Sequence, residues 1–255
     1  MDPEPAPDPA PEPRPAAGLP PDTPAPWRSR AIALLEVLVC SSLPTQIVIQ
    51  NAVVLAGVNP WRSPGVPTLA FLATTQLVDS LVLIGLMVVL TRAHGDRPAD
   101  LWRGQARLGP EVWLGLKLIP VVFLGIAVTM GLLAQVAPGL HNITVNPFEQ
   151  LLDTPARAGV MLLVVIVAGG LREELQRAFL LRRFERHLGG APAGVVLLSL
   201  AFGAGHYVQG WDAVVATSLI GAFWAVVYLR RRSVVAPVVS HAGFDAFEIL
   251  RASLS

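Results

Sequence analysis

Val160-Met-Leu-Leu-Val-Val-Ile-Val-Ala-Gly-Gly170 is apolar throughout and runs straight into Leu171-Arg172-Glu173-Glu174-Leu175-Gln176-Arg177. A transmembrane helix needs about 20 mostly apolar residues to cross the hydrocarbon layer. Residues 158–181 read as one such span, with ionisable groups at its C-terminal end. Charged side chains cost several kcal/mol in hydrocarbon, so a cluster at the end of an apolar run decides both the environment of the chain and where its chemistry lies.

The rest of the chain agrees with a membrane setting. Of 255 residues, 53% are hydrophobic and 15% are charged, against about 25% charged in ordinary soluble domains. Further apolar stretches occupy 31–57, 68–91, 112–136, 193–208, 211–229 and 234–254, giving an expected all-α bundle of about seven spans with no clear internal repeat. Arg clusters fall at Arg28 and Arg30, at Arg92, Arg97, Arg103 and Arg107, at Arg182, Arg183 and Arg186, and at Arg230–Arg232. Seven crossings with a cytoplasmic N-terminus place them all on one side, as the positive-inside rule requires.

Residues 1–28 form a separate unit. The first 26 residues hold 11 of the 23 prolines and five acids against one arginine. This composition predicts an extended, disordered, acidic tail without the basic and apolar regions of a signal peptide. The transmembrane domain is then 29–255, with its catalytic region at 158–250. A formal charge of +1 leaves no basic surplus for nucleic acid, and the lone Cys40 excludes an internal disulfide. The Ala-, Arg- and Pro-rich usage fits a high-GC bacterial genome and hence a multi-pass protein of a bacterial plasma membrane.

Glu36, Asp79 and Lys117 are isolated ionisable residues within spans, expected to make ordinary interhelical polar contacts. The 172–177 cluster differs because two later positions complement it. Residues 193–208 carry Phe202-Gly-Ala-Gly-His206, and residues 234–254 carry His241-Ala-Gly-Phe-Asp245. Residues four apart share a helical face, so Glu173 can pair with Arg177 and His241 with Asp245. A hairpin turning at Gly189-Gly190 would set Glu173 and His206 at nearly equal depth. Two glutamates, two histidines and an aspartate can therefore converge inside the bundle.

The order Glu-Glu…Arg, Phe-x-x-x-His, His-x-x-x-Asp resembles the CPBP family, the CAAX-processing and bacteriocin-processing membrane endopeptidases also called Abi. The resemblance covers about residues 160–247. It implies a helical bundle with a site opening into an intramembrane cavity, and a membrane-associated peptide as substrate, prenylated CAAX peptides being the class in the family name. The usual first motif is Glu-Glu-x-x-x-Arg, whereas Glu173-Glu174-Leu-Gln-Arg177 has one residue fewer. A local π-bulge would reconcile the two spacings, and either glutamate could be the base.

Peptide hydrolysis without a Ser or Cys nucleophile needs an activated water. Glu173 or Glu174 would take its proton, with His206 positioning it, His241 polarising the scissile carbonyl, Asp245 orienting His241 and Arg177 holding the neighbouring carboxylate ionised; Phe202 supports the site. A zinc version, with His206, His241 and Glu173 as ligands, stands beside the metal-free one. A non-catalytic member of the same family, acting in peptide immunity or scaffolding, and a proton-coupled transporter are the rival readings. The transporter predicts repeat symmetry that the sequence lacks.

Overall fold

The computed structural model describes residues 26–144 and 146–254. All but the last three residues of the acidic tail lie outside this range. The expected boundary moves slightly, because helix α1 (Trp27–Val39) already includes Trp27 and Arg28.

The first expected span is two helices rather than one. Between α1 and α2 (Leu43–Leu55), Ser42 adopts a left-handed conformation at φ 72°. Pro44 sits at the start of α2 and has no N–H to donate backwards, so it cannot continue the helix before it. The carbonyl of Cys40, released at the break, accepts from Gln176 Nε2 at 2.6 Å. A short hairpin, β1 (Trp61–Ser63) and β2 (Val66–Pro67), leads to α3 (Leu69–Ala93), which is capped by the Thr68 hydroxyl accepting from Phe71 N–H. A short α4 (Pro98–Trp102) and the long α5 (Leu108–Val136) follow.

The region quoted at the outset is also composite. α6 (Pro155–Val164) passes into an eight-residue π-helical stretch, Val165–Arg172, and then into α7 (Glu173–His187). Gly189 and Gly190, at φ 93° and 89°, make the expected turn into α8 (Gly190–Ala204). A short connector leads to α9 (Trp211–Arg231), and α10 (Val235–Ser253) closes the bundle.

Among the described residues, four stretches are long and apolar enough by length and composition to cross a membrane: Trp27–Leu55, Leu69–Ala93, Leu108–Val136 and Trp211–Arg231. The count of seven is not reached. α8 has 15 residues, about 22 Å of helix against a hydrocarbon layer of about 30 Å. α10 carries Asp245, Glu248 and Arg251, and the 158–181 segment, although continuously helical through its π-helical stretch, ends in a run of charges.

α7 is the buried centre. Ten of its 15 residues, from Glu174 to Phe184, are buried, including the polar Glu174, Gln176, Arg177 and Arg183. Its Phe179 and Leu181 form one core cluster with Leu83, Met87 and Cys40, all without exposure. Arg183, expected in a cytoplasmic loop, is instead paired inside the bundle. Its Nε lies 2.5 Å from Glu36, whose other oxygen is 2.6 Å from His94 Nε2. Asp79 accepts from Thr45 at 2.5 Å. Glu36 and Asp79 thus make the interhelical contacts expected of them. Lys117 does not, because it is exposed, with its ammonium over the Trp113 ring. A long apolar stem carrying its charge toward an aromatic is the behaviour of a snorkelling lysine. The outer surface is apolar, with Leu34, Leu35, Val48, Leu124 and Leu132 all exposed, as expected where lipid is the solvent.

α10 is pressed against α5 and the π-helical stretch by small residues. A Cβ on Gly115 would lie 2.6 Å from Val239, one on Gly243 would lie 2.5 Å from Ile119, and one on Gly170 would strike Ala242. Close approach through small residues is how helices associate where lipid removes the hydrophobic drive. Here it brings α10 within reach of the acids of α7.

Candidate active site

Glu174, the second residue of α7, has a side chain 1% exposed and points inward. Its Oε1 accepts from His241 Nδ1 at 2.8 Å and also from Arg177. The expected pairing of Arg177 with Glu173 at i,i+4 is replaced by pairing with Glu174 at i,i+3. The π-helical stretch ends before Glu173, so it adds no residue between the glutamates and Arg177. The shorter motif works because the second glutamate meets the arginine directly.

His241 is held on three sides. Its ring stacks on Trp224 at 3.8 Å between centroids and 19° between planes, and Phe202 meets it edge-on at 6.0 Å. Trp224 Nε1 donates to Ser240 at 3.3 Å, and Arg177 lies over the Phe202 and Trp224 rings at 4.8 and 5.8 Å. With Nδ1–H committed to Glu174, the reactive Nε2 edge is presented to Glu173 Oε2 at 4.0 Å and Asp245 Oδ2 at 3.5 Å. Asp245 was expected to orient His241. The carboxylate hydrogen-bonded to its Nδ1 is that of Glu174, and Asp245 faces the opposite nitrogen.

Glu173 and Asp245 differ from Glu174 in access, with side chains 20% and 22% exposed. The absence of a side chain at Gly169 makes room for the aspartate, since a Cβ there would lie 2.6 Å from Asp245 Oδ2. Two partly exposed carboxylates therefore face one imidazole nitrogen. A separation of 4.0 Å between Glu173 and His241 suits one bridging water better than a direct bond.

His206 lies just beyond α8, in the connector leading to a single turn at Tyr207–Gln209, rather than within a helix. Its Nδ1–H donates to the Phe202 carbonyl at 2.9 Å, and its ring sits 4.9 Å from that of Phe202. This bond leaves Nε2 as the free nitrogen. Phe202 thus touches both imidazoles. Its own place is fixed by Gly221, where a Cβ would lie 2.8 Å from the Phe202 ring.

Among the described residues, no three His, Cys, Asp or Glu side chains are gathered as a metal ion would require. The expected zinc set of His206, His241 and Glu173 is therefore not gathered among the described residues.

Sequence reasoning passed over Trp224 and Gln176, and saw Arg172 only as a neighbour of the motif. A tryptophan in an apolar span carries no local signal.

Taken together, these features define a helical membrane protein with a carboxylate–imidazole cluster inside its bundle. Residues 155–247 match the family model described as Rce1-like, type II CAAX prenyl endopeptidase Rce1-like. The matched stretch opens at the first residue of α6 and contains every acid and imidazole of the cluster. No curated protein and no solved structure matches the chain.

Proposed function

We propose that the protein is an integral membrane endopeptidase that hydrolyses a peptide bond of a membrane-associated substrate, of the prenylated CAAX class, through a carboxylate-activated water. The observation that carries this reading is the difference between adjacent glutamates. Glu174, 1% exposed, meets both Arg177 and His241 through Oε1, whereas Glu173, 20% exposed, sets Oε2 4.0 Å from His241 Nε2.

In this reading Glu173 is the general base. It takes a proton from a water held between it and His241, and the hydroxide attacks the scissile carbonyl. His241, fixed by Glu174 and Trp224, and His206, with Nε2 free, would accept from and steady the water, and either ring would donate to the developing oxyanion once protonated at Nε2. Glu173 then returns the proton to the leaving amine. Asp245 borders the water site and lacks a donor when ionised, so it holds the water or the imidazole rather than the oxyanion. The Arg-rich ends are taken as cytoplasmic by the positive-inside rule.

The test uses purified full-length protein in liposomes and a fluorogenic prenylated peptide. Wild type is expected to cleave it in the presence of a zinc chelator, and E173Q and H241Q to lose cleavage. Wild type with no cleavage of prenylated or unprenylated peptides would favour a non-catalytic role. Loss of cleavage on chelation would replace the metal-free chemistry.

A further inference from the structure

We propose that Arg172 is a positioning residue for the Glu173 carboxylate, tying the base to the break between α1 and α2. The proposal rests on Glu173 being the base.

Arg172 is the last residue of the π-helical stretch, and its side chain is 6% exposed. Its guanidinium is held from several directions. Nη1 donates to Ser42 Oγ at 3.1 Å and to Gln176 Oε1 at 3.0 Å, while Nη2 lies 3.4 Å from Glu173 Oε1. Gln176 is fixed in turn, because its Nε2 donates to the Cys40 carbonyl and to Ser42 Oγ at 3.0 Å. Ser42 is the residue in the left-handed conformation at the helix break. The break thus supplies a hydroxyl and a free carbonyl where an unbroken helix would supply neither.

A buried guanidinium needs a counter-charge, and among the described residues the acid paired with Arg172 is Glu173. Neighbours on a regular helix do not face each other. These two meet at the junction where the π-helical stretch passes into α7. The two oxygens of Glu173 consequently face different partners, Oε1 toward Arg172 and Oε2 toward His241. The other charged or titratable group at that edge is Asp245, across His241 Nε2. Without Arg172 the carboxylate is free to rotate away from the water site, and misplacement by about 1 Å can cost about 100-fold in rate.

The experiment measures kcat and KM for prenylated-peptide cleavage by full-length protein in liposomes, comparing wild type, R172M, R172K, S42A and E173Q. R172M is expected to lower kcat about 10- to 100-fold with KM within about twofold. R172K, which restores a cation, should recover most of that loss, and S42A should lower kcat several-fold. A purely structural arginine would not give a kcat loss rescued by lysine at constant KM. R172M with wild-type kcat, or R172K as impaired as R172M, would overturn the proposal. If R172M does not fold, S42A decides, and wild-type kcat in S42A overturns it. An active E173Q would instead remove the base assignment, whereas an inactive E173Q beside an unimpaired R172M would remove only the role of Arg172.

Discussion

The Nδ1–H of His241 donates to Glu174 at 2.8 Å across the contact between α10 and α7, and Arg177 binds the same carboxylate oxygen. This buried triad is a frame on which the accessible edge of the imidazole is displayed. Each of its members has its charge or hydrogen bond met by another, which is what allows so polar a group to sit at the centre of the bundle.

Removing Glu174 should therefore be felt as instability. E174A leaves Arg177 buried without its carboxylate, and loss of one partner of a buried ion pair costs about 3–5 kcal/mol. Thermal unfolding in detergent should show a large drop for E174A and little change for E173Q. Equal drops would mean that the two carboxylates share the structural burden.

Trp224 is expected to matter through the His241 ring. Its side chain is almost fully buried and stacked on the imidazole. W224A should cost about 3–5 kcal/mol by emptying that space. W224F keeps an aromatic face but loses the hydrogen bond to Ser240 and part of the buried ring volume, a cost of about 1–3 kcal/mol. Cleavage assays should then find W224F near wild type and W224A inactive or unfolded.

Two glycines separate close packing from helix propensity. At Gly170 a Cβ would lie 2.8 and 2.9 Å from the Ala242 Cα and N, so G170A must push α10 away from the acids and should cost about 1–3 kcal/mol as well as activity. At Gly159, in α6, a Cβ meets nothing within 4 Å, and G159A should be neutral or stabilising by about 0.5–1 kcal/mol. Paired melting curves and cleavage rates check both.

Outside the spans, the hydrogen bond from Arg186, 2.6 Å to Oδ2, holds the Asp96 carboxyl below the ordinary carboxylate range. A group with a depressed folded-state pKa stabilises above its unfolded pKa and loses that contribution as pH falls through the folded value. Wild type should lose stability over the acid range below about pH 4, and D96N should flatten that part of the curve. Melting temperature against pH is the measurement, and superimposable curves would deny the linkage.

Much of the site was legible because ionisable residues in apolar runs are conspicuous. Glu173, Glu174, His241 and Asp245 were singled out on that ground, and the turn at Gly189-Gly190 followed from two residues free to take positive φ. The division of roles was not legible. An i,i+4 rule pairs Arg177 with Glu173, but burial decides in favour of Glu174, because only that carboxylate faces both the arginine and α10. The hydropathy of residues 31–57 hid the break at Ser42, which Pro44 and the polar demand of Arg172 and Gln176 explain. Of the seven apolar stretches read from the sequence, four meet the length and composition of a membrane crossing among the described residues; α8 is short, and 158–181 ends in charges.

The most direct measurement is the single-turnover rate of prenylated-peptide cleavage by E173Q in liposomes, taken on protein whose unfolding temperature matches wild type. Loss of the general base should lower that rate about 100- to 10,000-fold with the fold intact. A folded E173Q that cleaves within a few-fold of wild type would contradict the assignment of Glu173 as the group that activates water.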